Sequence, residues 1–380
     1  MRQLNLLLLF LMPSLLFSQV ITDTTTITIT KTWSQQPNGY TYPIDIGVPS
    51  GSVPTGGFPV CILLHGNGGT GTSFINSFSS ILDCHVLVAP SGYMNSWNIC
   101  DEDNDGPDME MLEELINHLQ TYTNINPNQI RILGFSNGSA LANKVFIENK
   151  NPGVDIIVAI VSQLSEPQYH NGLFYYPSVN SNQANAYCGY DSTTVPNTGR
   201  KYLSICNVND PIIPYTGGTS VVGVDFIDAQ LATFIVAQSQ GFTGNQINPP
   251  GNPIGPAGVF VDEFSYLSGQ VVHLIGDAAH AINSTHEDYI SNFMDNCNSA
   301  TDIKKVIDNS FKVYPNPSND IINIDGDFNG NLNYMLYTPL GTNILNGTIS
   351  KNSKIDISHL SSNIYLLKIN NRVFKIVKTE

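Results

Sequence analysis

From Ile21 to Trp33 threonine alternates with isoleucine, and Gly39-Tyr40-Thr41-Tyr42-Pro43-Ile44-Asp45-Ile46 alternates again, with Gln-Pro-Asn-Gly between the two runs. Period-two alternation broken by a turn signal predicts an antiparallel hairpin at the start of the fold. The pattern then changes to short apolar runs separated by turns and helix-like stretches. The runs are Val60 to Leu64, His85 to Ala89, Ile130 to Leu133, Ile156 to Val161, Tyr202 to Ile205 and Val271 to Ile275, and a helix is marked by Leu112, Leu115, Ile116 and Leu119 on one face. Strands that alternate with helices predict an α/β fold, a mostly parallel sheet covered on both faces. Two stretches lack any sustained period: Ser165 to Arg200, rich in Tyr, Asn, Ser and Pro, and Gly241 to Gly258, rich in Pro, Gly and Asn. Both read as long surface loops of the kind that connect elements or line binding sites.

Beyond a polar bridge, Asn298 to Ser310, the texture becomes short β-like runs punctuated by Asn, Gly and Ser: Phe311 to Tyr314, Ile321 to Ile324, Ile364 to Ile369 and Phe374 to Lys378. A small all-β, sandwich-like domain is expected there. The chain opens with Met-Arg-Gln and an apolar stretch from Leu4 to Phe17 that contains Pro13, the form of a secretory signal peptide rather than of a membrane span. The expected organisation is a signal peptide over 1–19, a catalytic domain over 20–298, a linker over 299–310 and a separate β domain over 311–380.

A net charge of -15 excludes the basic footprint that a nucleic-acid binder needs. Six cysteines (Cys61, Cys84, Cys100, Cys188, Cys206 and Cys297) in an exported chain can form disulfides, and their spacing matches no compact metal motif. Their pairing is left open, and for Cys61 and Cys206, which fall inside apolar runs, a buried free thiol is as good a reading as a bridge. Neither a metal nor a cofactor is called for. Asp101-Glu102-Asp103-Asn104-Asp105-Gly106 satisfies the first half of a calcium-loop pattern, but its twelfth position is Leu112. The better reading is an acidic turn favouring the N-terminus of the next helix.

Gly134-Phe135-Ser136-Asn137-Gly138 follows one apolar run and precedes the helix-like Ala140 to Phe146. Strand, tight turn and helix is the setting a G-x-S-x-G nucleophile elbow requires, so Ser136 is the candidate nucleophile of an α/β-hydrolase. A tetrahedral intermediate then needs two backbone donors. Asn137, the residue after the serine, supplies one, and Asn67, in the His65-Gly66-Asn67-Gly68-Gly69 turn behind an early strand, is the candidate for the other. The triad order Ser, Asp/Glu, His places the acid after a later strand. Asp210 in Asn207-Val208-Asn209-Asp210-Pro211 fits that place. Of the histidines that follow, His273 lies within a strand and His286 within Ser284-Thr285-His286-Glu287, read as a capping box. His280, in the loop after the last strand, is the candidate base.

Those motifs, with the turn from Pro90-Ser91-Gly92 to Trp97 and the run Asp210-Pro211-Ile212-Ile213-Pro214-Tyr215-Thr216-Gly217-Gly218, resemble the polyhydroxybutyrate depolymerase-like esterases, a group that includes feruloyl and acetyl-xylan esterases. The resemblance spans about Phe58 to Cys297. It implies an extracellular serine esterase acting on a polymer or its fragments, with Trp97 and Tyr215 touching the substrate. That group usually surrounds its histidine with glycines, where this chain has Ala278-Ala279-His280-Ala281. The tail is similar to the C-terminal sorting domains of the Bacteroidota type IX secretion system, through Val313-Tyr314-Pro315-Asn316-Pro317-Ser318-Asn319-Asp320, the run Asp356 to Tyr365 and the closing Lys-Ile-Val-Lys. It implies that the secretion machinery is a partner and that the destination is the cell surface or the medium. A serine peptidase or amidase of the same fold is the alternative within hydrolases, and a non-catalytic surface-binding protein the alternative outside them.

Overall fold

In the computed structural model the described residues are 19–294, 311–326, 332–338, 342–350, 353–369 and 372–380. The signal peptide expected over 1–19 lies outside them but for residue 19, and the expected linker over 299–310 lies outside them altogether. The chain divides into two compact units, Met1–Ser299 and Ala300–Glu380.

The first unit is built on a nine-stranded sheet. In chain order its strands are β1 (Ile44–Gly47), β2 (Phe58–Leu64), β3 (Val86–Pro90), β4 (Ile125–Phe135), β5 (Val154–Ile160), β6 (Lys201–Asn207), β7 (Asn252–Pro253), β8 (Val261–Tyr266) and β9 (Val271–Gly276). Their order across the sheet is β7-β8-β9-β6-β5-β4-β2-β3-β1. The strands from β9 to β3 in that order all run parallel. Antiparallel strands close both edges, β1 beside β3 and β8 beside β9, with β7 outermost.

Side chains alternate across a strand, and the core divides accordingly. Val60, Ile62 and Leu64 of β2 face one hydrophobic cluster, together with Leu112, Leu115 and Ile116 of helix α2 (Asp108–Leu119) and Leu141 and Val145 of helix α3 (Asn137–Glu148). Cys61 and Leu63 face the other, with Phe78 of α1 (Gly71–Phe78) and Ile290 and Phe293 of α5 (Ser284–Phe293). Helix α4 (Ala229–Ser239) adds Ala232 and Val236 to the first cluster. The continuous apolar runs read from the sequence are thus strands buried on both faces, as a parallel sheet demands.

Several boundaries differ from expectation. The opening hairpin pairs Thr30–Trp33 with Gln36–Thr41 and turns at Ser34-Gln35, so Gln36-Pro37-Asn38-Gly39 belongs to the second strand. Ile44–Gly47 leaves the hairpin and joins the main sheet. Strand β8, Val-Asp-Glu-Phe-Ser-Tyr, went unread because its outward positions are charged or polar. The stretch from Ser165 to Arg200 contains a small antiparallel sheet of Tyr169–His170, Leu173–Pro177 and Tyr190–Thr194. Cys188 there is bridged to Cys100, Cys84 is also disulfide-bonded, and Cys61 and Cys206 are free and buried.

The second unit is all β and antiparallel. A three-stranded sheet has the order Phe311–Tyr314, Ile321–Gly326, Ser353–Asp356, and a four-stranded sheet the order Asn343–Ile349, Leu332–Tyr337, Asn363–Ile369, Arg372–Lys378. Ile322, Ile324 and Ile355 from the first and Leu336, Ile349 and Leu367 from the second share one core, the arrangement of a small sandwich.

Candidate active site

The loops that carry the candidate residues all leave the C-terminal ends of the parallel strands, where open α/β sheets place their ligands. His65 follows β2, Ser136 follows β4, Val161 follows β5, Asp210 lies just beyond β6 and His280 beyond β9.

Ser136 sits at the turn between β4 and α3 with φ 53° and ψ -118°, a conformation that costs a non-glycine residue about 1–3 kcal/mol. Neighbouring packing enforces it. A Cβ on Gly134 would collide with the backbone of Gly138 and Ser139, and a Cβ on Gly138 with the carbonyl oxygens of Leu64 and His65. The two glycines of the motif therefore allow strand, turn and the end of β2 to close on one another. The Ser136 amide donates to Ile160 O (2.9 Å), and its carbonyl accepts from the amides of Ser139 and Ala140, which start the helix.

His280 joins the other two residues. Its Nε2 lies 2.8 Å from Ser136 Oγ and its Nδ1 lies 2.8 Å from Asp210 Oδ2. The second carboxylate oxygen of Asp210 accepts from the amides of Ile212 (2.8 Å) and Ile213 (3.0 Å). Burial pushes this carboxyl up, but the hydrogen bonds from His280 and the two amides outweigh that and hold it below the ordinary aspartate range. An ionised Asp210 accepts the hydrogen bond of the Nδ1–H, which leaves Nε2 as the acceptor facing Ser136. Ala279 takes φ 54°, a left-handed conformation in which glycine is the comfortable residue.

His273, His286 and His65 are buried and held neutral. Burial lowers His273 to about 3, and its Nε2 meets the Tyr215 hydroxyl at 3.0 Å. Burial lowers His286 to about 4, with the charge of Asp277 opposing. His286 belongs to a capping box as expected, but the cap is Asn283 rather than Ser284. His65 is also lowered by burial, and its ring nitrogens hold Gly66 O (2.8 Å) and the Gly92 amide (3.1 Å).

Ser136, Asn67 and Asn137 line one cavity of about 380 Å³. Asn137 begins α3, where the first amides have no acceptor inside the helix. Its side chain is locked outward, accepting from the Trp97 amide (2.7 Å) and donating to Trp97 O (3.1 Å) and Glu102 Oε1 (2.9 Å). In the Asn67 turn the amides of Gly68 and Gly69 are taken by Asn95 O and Gly66 O. One wall of the cavity is apolar, with Ile99, Ile212, Ile213, Val224 and Phe226, and the acidic turn Asp101, Glu102 and Asp103 forms another.

Trp97 and Tyr215 do not line this cavity. Trp97 is fully buried, its indole N–H spent on His65 O (2.7 Å) and its ring packed on that of His65. It braces the Asn67 turn from behind. Tyr215 points to His273 between β9 and α4. The polar atoms of both find partners inside the protein. The acidic turn likewise serves the backbone. Glu102 Oε2 accepts from the amides of Ile99 (2.9 Å) and Cys100 (2.6 Å), and among the described residues no group of His, Cys, Asp and Glu is arranged to hold a metal. The sequence reading missed Glu102 as the brace of Asn137, and it missed Asn207 and Asn209, which hold the His280 loop. The only trace of the latter pair is the repeated asparagine in Asn207-Val208-Asn209-Asp210.

Residues 312–379 match the family of secretion system C-terminal sorting domains. No curated protein matches the chain in sequence. Solved structures similar to it include a Bacillus cereus carboxylesterase, at 13% identity and TM-score 0.42, covering 67% of this chain and 93% of that one. A phospholipase/carboxylesterase from Dyadobacter fermentans has 16% identity and TM-score 0.40, covering 67% and 96%. A poly(3-hydroxybutyrate) depolymerase from Bordetella parapertussis has 13% identity and TM-score 0.35, covering 50% and 68%. By its own strand order, helix layers and elbow, the first unit has the α/β-hydrolase fold, and the second is a secretion-system sorting domain.

Proposed function

We propose that the first unit is a serine esterase that cleaves carboxylic esters through an acyl-enzyme on Ser136. The observation that carries this reading is the unbroken chain Asp210 to His280 to Ser136, with both links at 2.8 Å and the serine raised on a strained elbow beside a cavity. His280 Nε2 takes the Ser136 proton as Oγ attacks the ester carbonyl, and Asp210 stabilises the imidazolium that forms. The Asn137 and Asn67 amides donate hydrogen bonds to the oxyanion. Collapse of the intermediate breaks the bond to the alcohol oxygen, which receives the proton from His280 and leaves. Water then attacks the acyl-Ser136 ester while His280 takes its proton; the bond from the acyl carbon to Oγ breaks, Oγ regains a proton from His280, and the acid is released.

The resemblance of the sequence motifs to depolymerase-like esterases favours an ester over an amide, and a polymer or its fragments over an intracellular metabolite. Export fits that choice. The sorting domain is the address for passage through a type IX secretion system in a Bacteroidota cell, and the ester is met outside the cell.

The test is Ser136→Ala. Hydrolysis of p-nitrophenyl acyl esters should fall by at least about 10³-fold while the thermal unfolding midpoint stays put, since a half-exposed hydroxyl contributes little packing. A folded variant that keeps most of its activity would remove Ser136 from the mechanism. Methyl ferulate, acetylated xylan and polyhydroxybutyrate, compared side by side, identify the acyl group.

A further inference from the structure

We infer that Asn207 and Asn209 are positioning residues for His280, acting as a clamp that makes the acid loop and the base loop one body; this rests on the esterase reading above. Asn207 is the last residue of β6 and pairs with Gly276, the last residue of β9. Its side chain is fully buried. Nδ2 donates to Ala279 O (2.7 Å) and Ala281 O (2.9 Å), and Oδ1 accepts from the Ala278 amide (3.1 Å). One carboxamide thus holds the residues on both sides of His280. Both of its N–H donors are used, and they converge on two carbonyls that flank the imidazole-bearing residue.

Asn209 adds the outer half of the grip. Its Oδ1 accepts from the Ala279 amide (2.9 Å) and its Nδ2 donates to Asp277 O (2.8 Å). Ala279 is therefore held at both its amide and its carbonyl, in a backbone conformation with φ 54° that alanine does not favour when free. Gly276 makes room for the clamp, because a Cβ there would come within 2.7 Å of Asn207 Oδ1.

Neither asparagine touches His280 or Ser136, so neither is a catalytic residue. Their effect is geometric. Asp210 follows Asn209 directly, and the same short segment that presents the carboxylate to Nδ1 fixes the main chain behind the imidazole. A base that must reach a carboxylate and a hydroxyl together loses effectiveness with small displacements, and an error of about 1 Å can cost on the order of 100-fold in rate.

The experiment uses the full chain with Asn207→Ala and Asn209→Ala. For each variant kcat and KM on p-nitrophenyl acetate are measured, with the unfolding midpoint and the low-field proton resonance of the His280 Nδ1–H bonded to Asp210. Asn207→Ala should lower kcat by roughly 30- to 100-fold with KM within about twofold, and its low-field resonance should broaden or vanish although the protein remains folded. Asn209, being exposed, can be removed without disturbing the core, and its variant should lose roughly three- to tenfold in kcat with the same unchanged KM. If Asn207→Ala does not fold, Asn209→Ala decides alone. Wild-type kcat and an intact low-field resonance in a folded Asn209→Ala protein, or in a folded Asn207→Ala protein, would overturn the clamp. Failure of the esterase reading looks different: wild-type protein would hydrolyse no ester, or Ser136→Ala would remain active.

Discussion

Replacing Asp210 with asparagine separates the electrostatic role of the acid from its place in the fold. One carboxylate oxygen is tied to the amides of Ile212 and Ile213, and the other faces His280 Nδ1. In Asp210→Asn the carbonyl oxygen must stay with the two amides, since the NH₂ group cannot accept from them. The NH₂ is thereby aimed at Nδ1, which can accept it only as a bare nitrogen. The ring proton then moves to Nε2, and the nitrogen facing Ser136 becomes a donor unable to take the serine proton. A wrong-tautomer triad of this kind costs about 10⁴-fold in kcat, or about 5.4 kcal/mol of transition-state stabilisation at 1.36 kcal/mol per decade. The fold should tolerate the change, because the turn keeps its two amide bonds. Steady-state hydrolysis of p-nitrophenyl acetate at pH 7 to 8 measures the loss, and kcat within tenfold of wild type would refute the tautomer argument. Stability gives an independent check. Asp210 is held below its unfolded value, so its contribution is present above the ordinary carboxylate range and lost as pH falls through the depressed folded value. The stability gap between wild type and Asp210→Asn should therefore narrow on acidification, and a gap that is constant with pH would contradict the assignment.

Gly138→Ala forces a methyl group against the carbonyls of Leu64 and His65 and should destabilise the protein by about 1–3 kcal/mol or more, with loss of esterase activity, read by denaturant melts and turnover. The exposed carboxylates Asp101 and Asp103 line the cavity; neutralising both as asparagine should raise kcat/KM for an anionic hemisuccinate ester by roughly two- to fivefold at low salt, leave a neutral ester unchanged, and lose the effect in high salt. A chain ending at Ser299, the boundary between the two compact units, should keep wild-type turnover on a small soluble ester and, in the native host, accumulate in the periplasm.

Much of the candidate site was legible because its residues lie on short segments in fixed order. The elbow, the Asn67 turn, Asp210 and His280 each follow an apolar run that became a parallel strand, so the order of runs alone placed them at the C-terminal ends of the parallel strands. What could not be read shares a cause. Trp97 and Tyr215 are large amphipathic side chains, and only three-dimensional contacts show that the indole N–H serves His65 and the phenol serves His273. The cavity wall of Ile212, Ile213, Val224 and Phe226 has no period to reveal it, since it comes from loops and a two-residue strand. Strand β8 was hidden by charged outward positions, and the hairpin turn moved because Ser34-Gln35 closes it in place of the stronger Asn-Gly signal.

The two free cysteines acquire a meaning from where they lie. Thiol–disulfide exchange requires a thiolate, and burial pushes Cys206 up to about 12 and raises Cys61 further, so neither ionises at neutral pH. Once β2 and β6 have joined the sheet, both sulfurs are withdrawn from the shuffling that an oxidising compartment promotes, while Cys100 and Cys188, held in loops, remain available to each other. Withdrawing these two cuts the fifteen pairings open to six cysteines to the three open to four, so the sheet itself narrows the choice of partners.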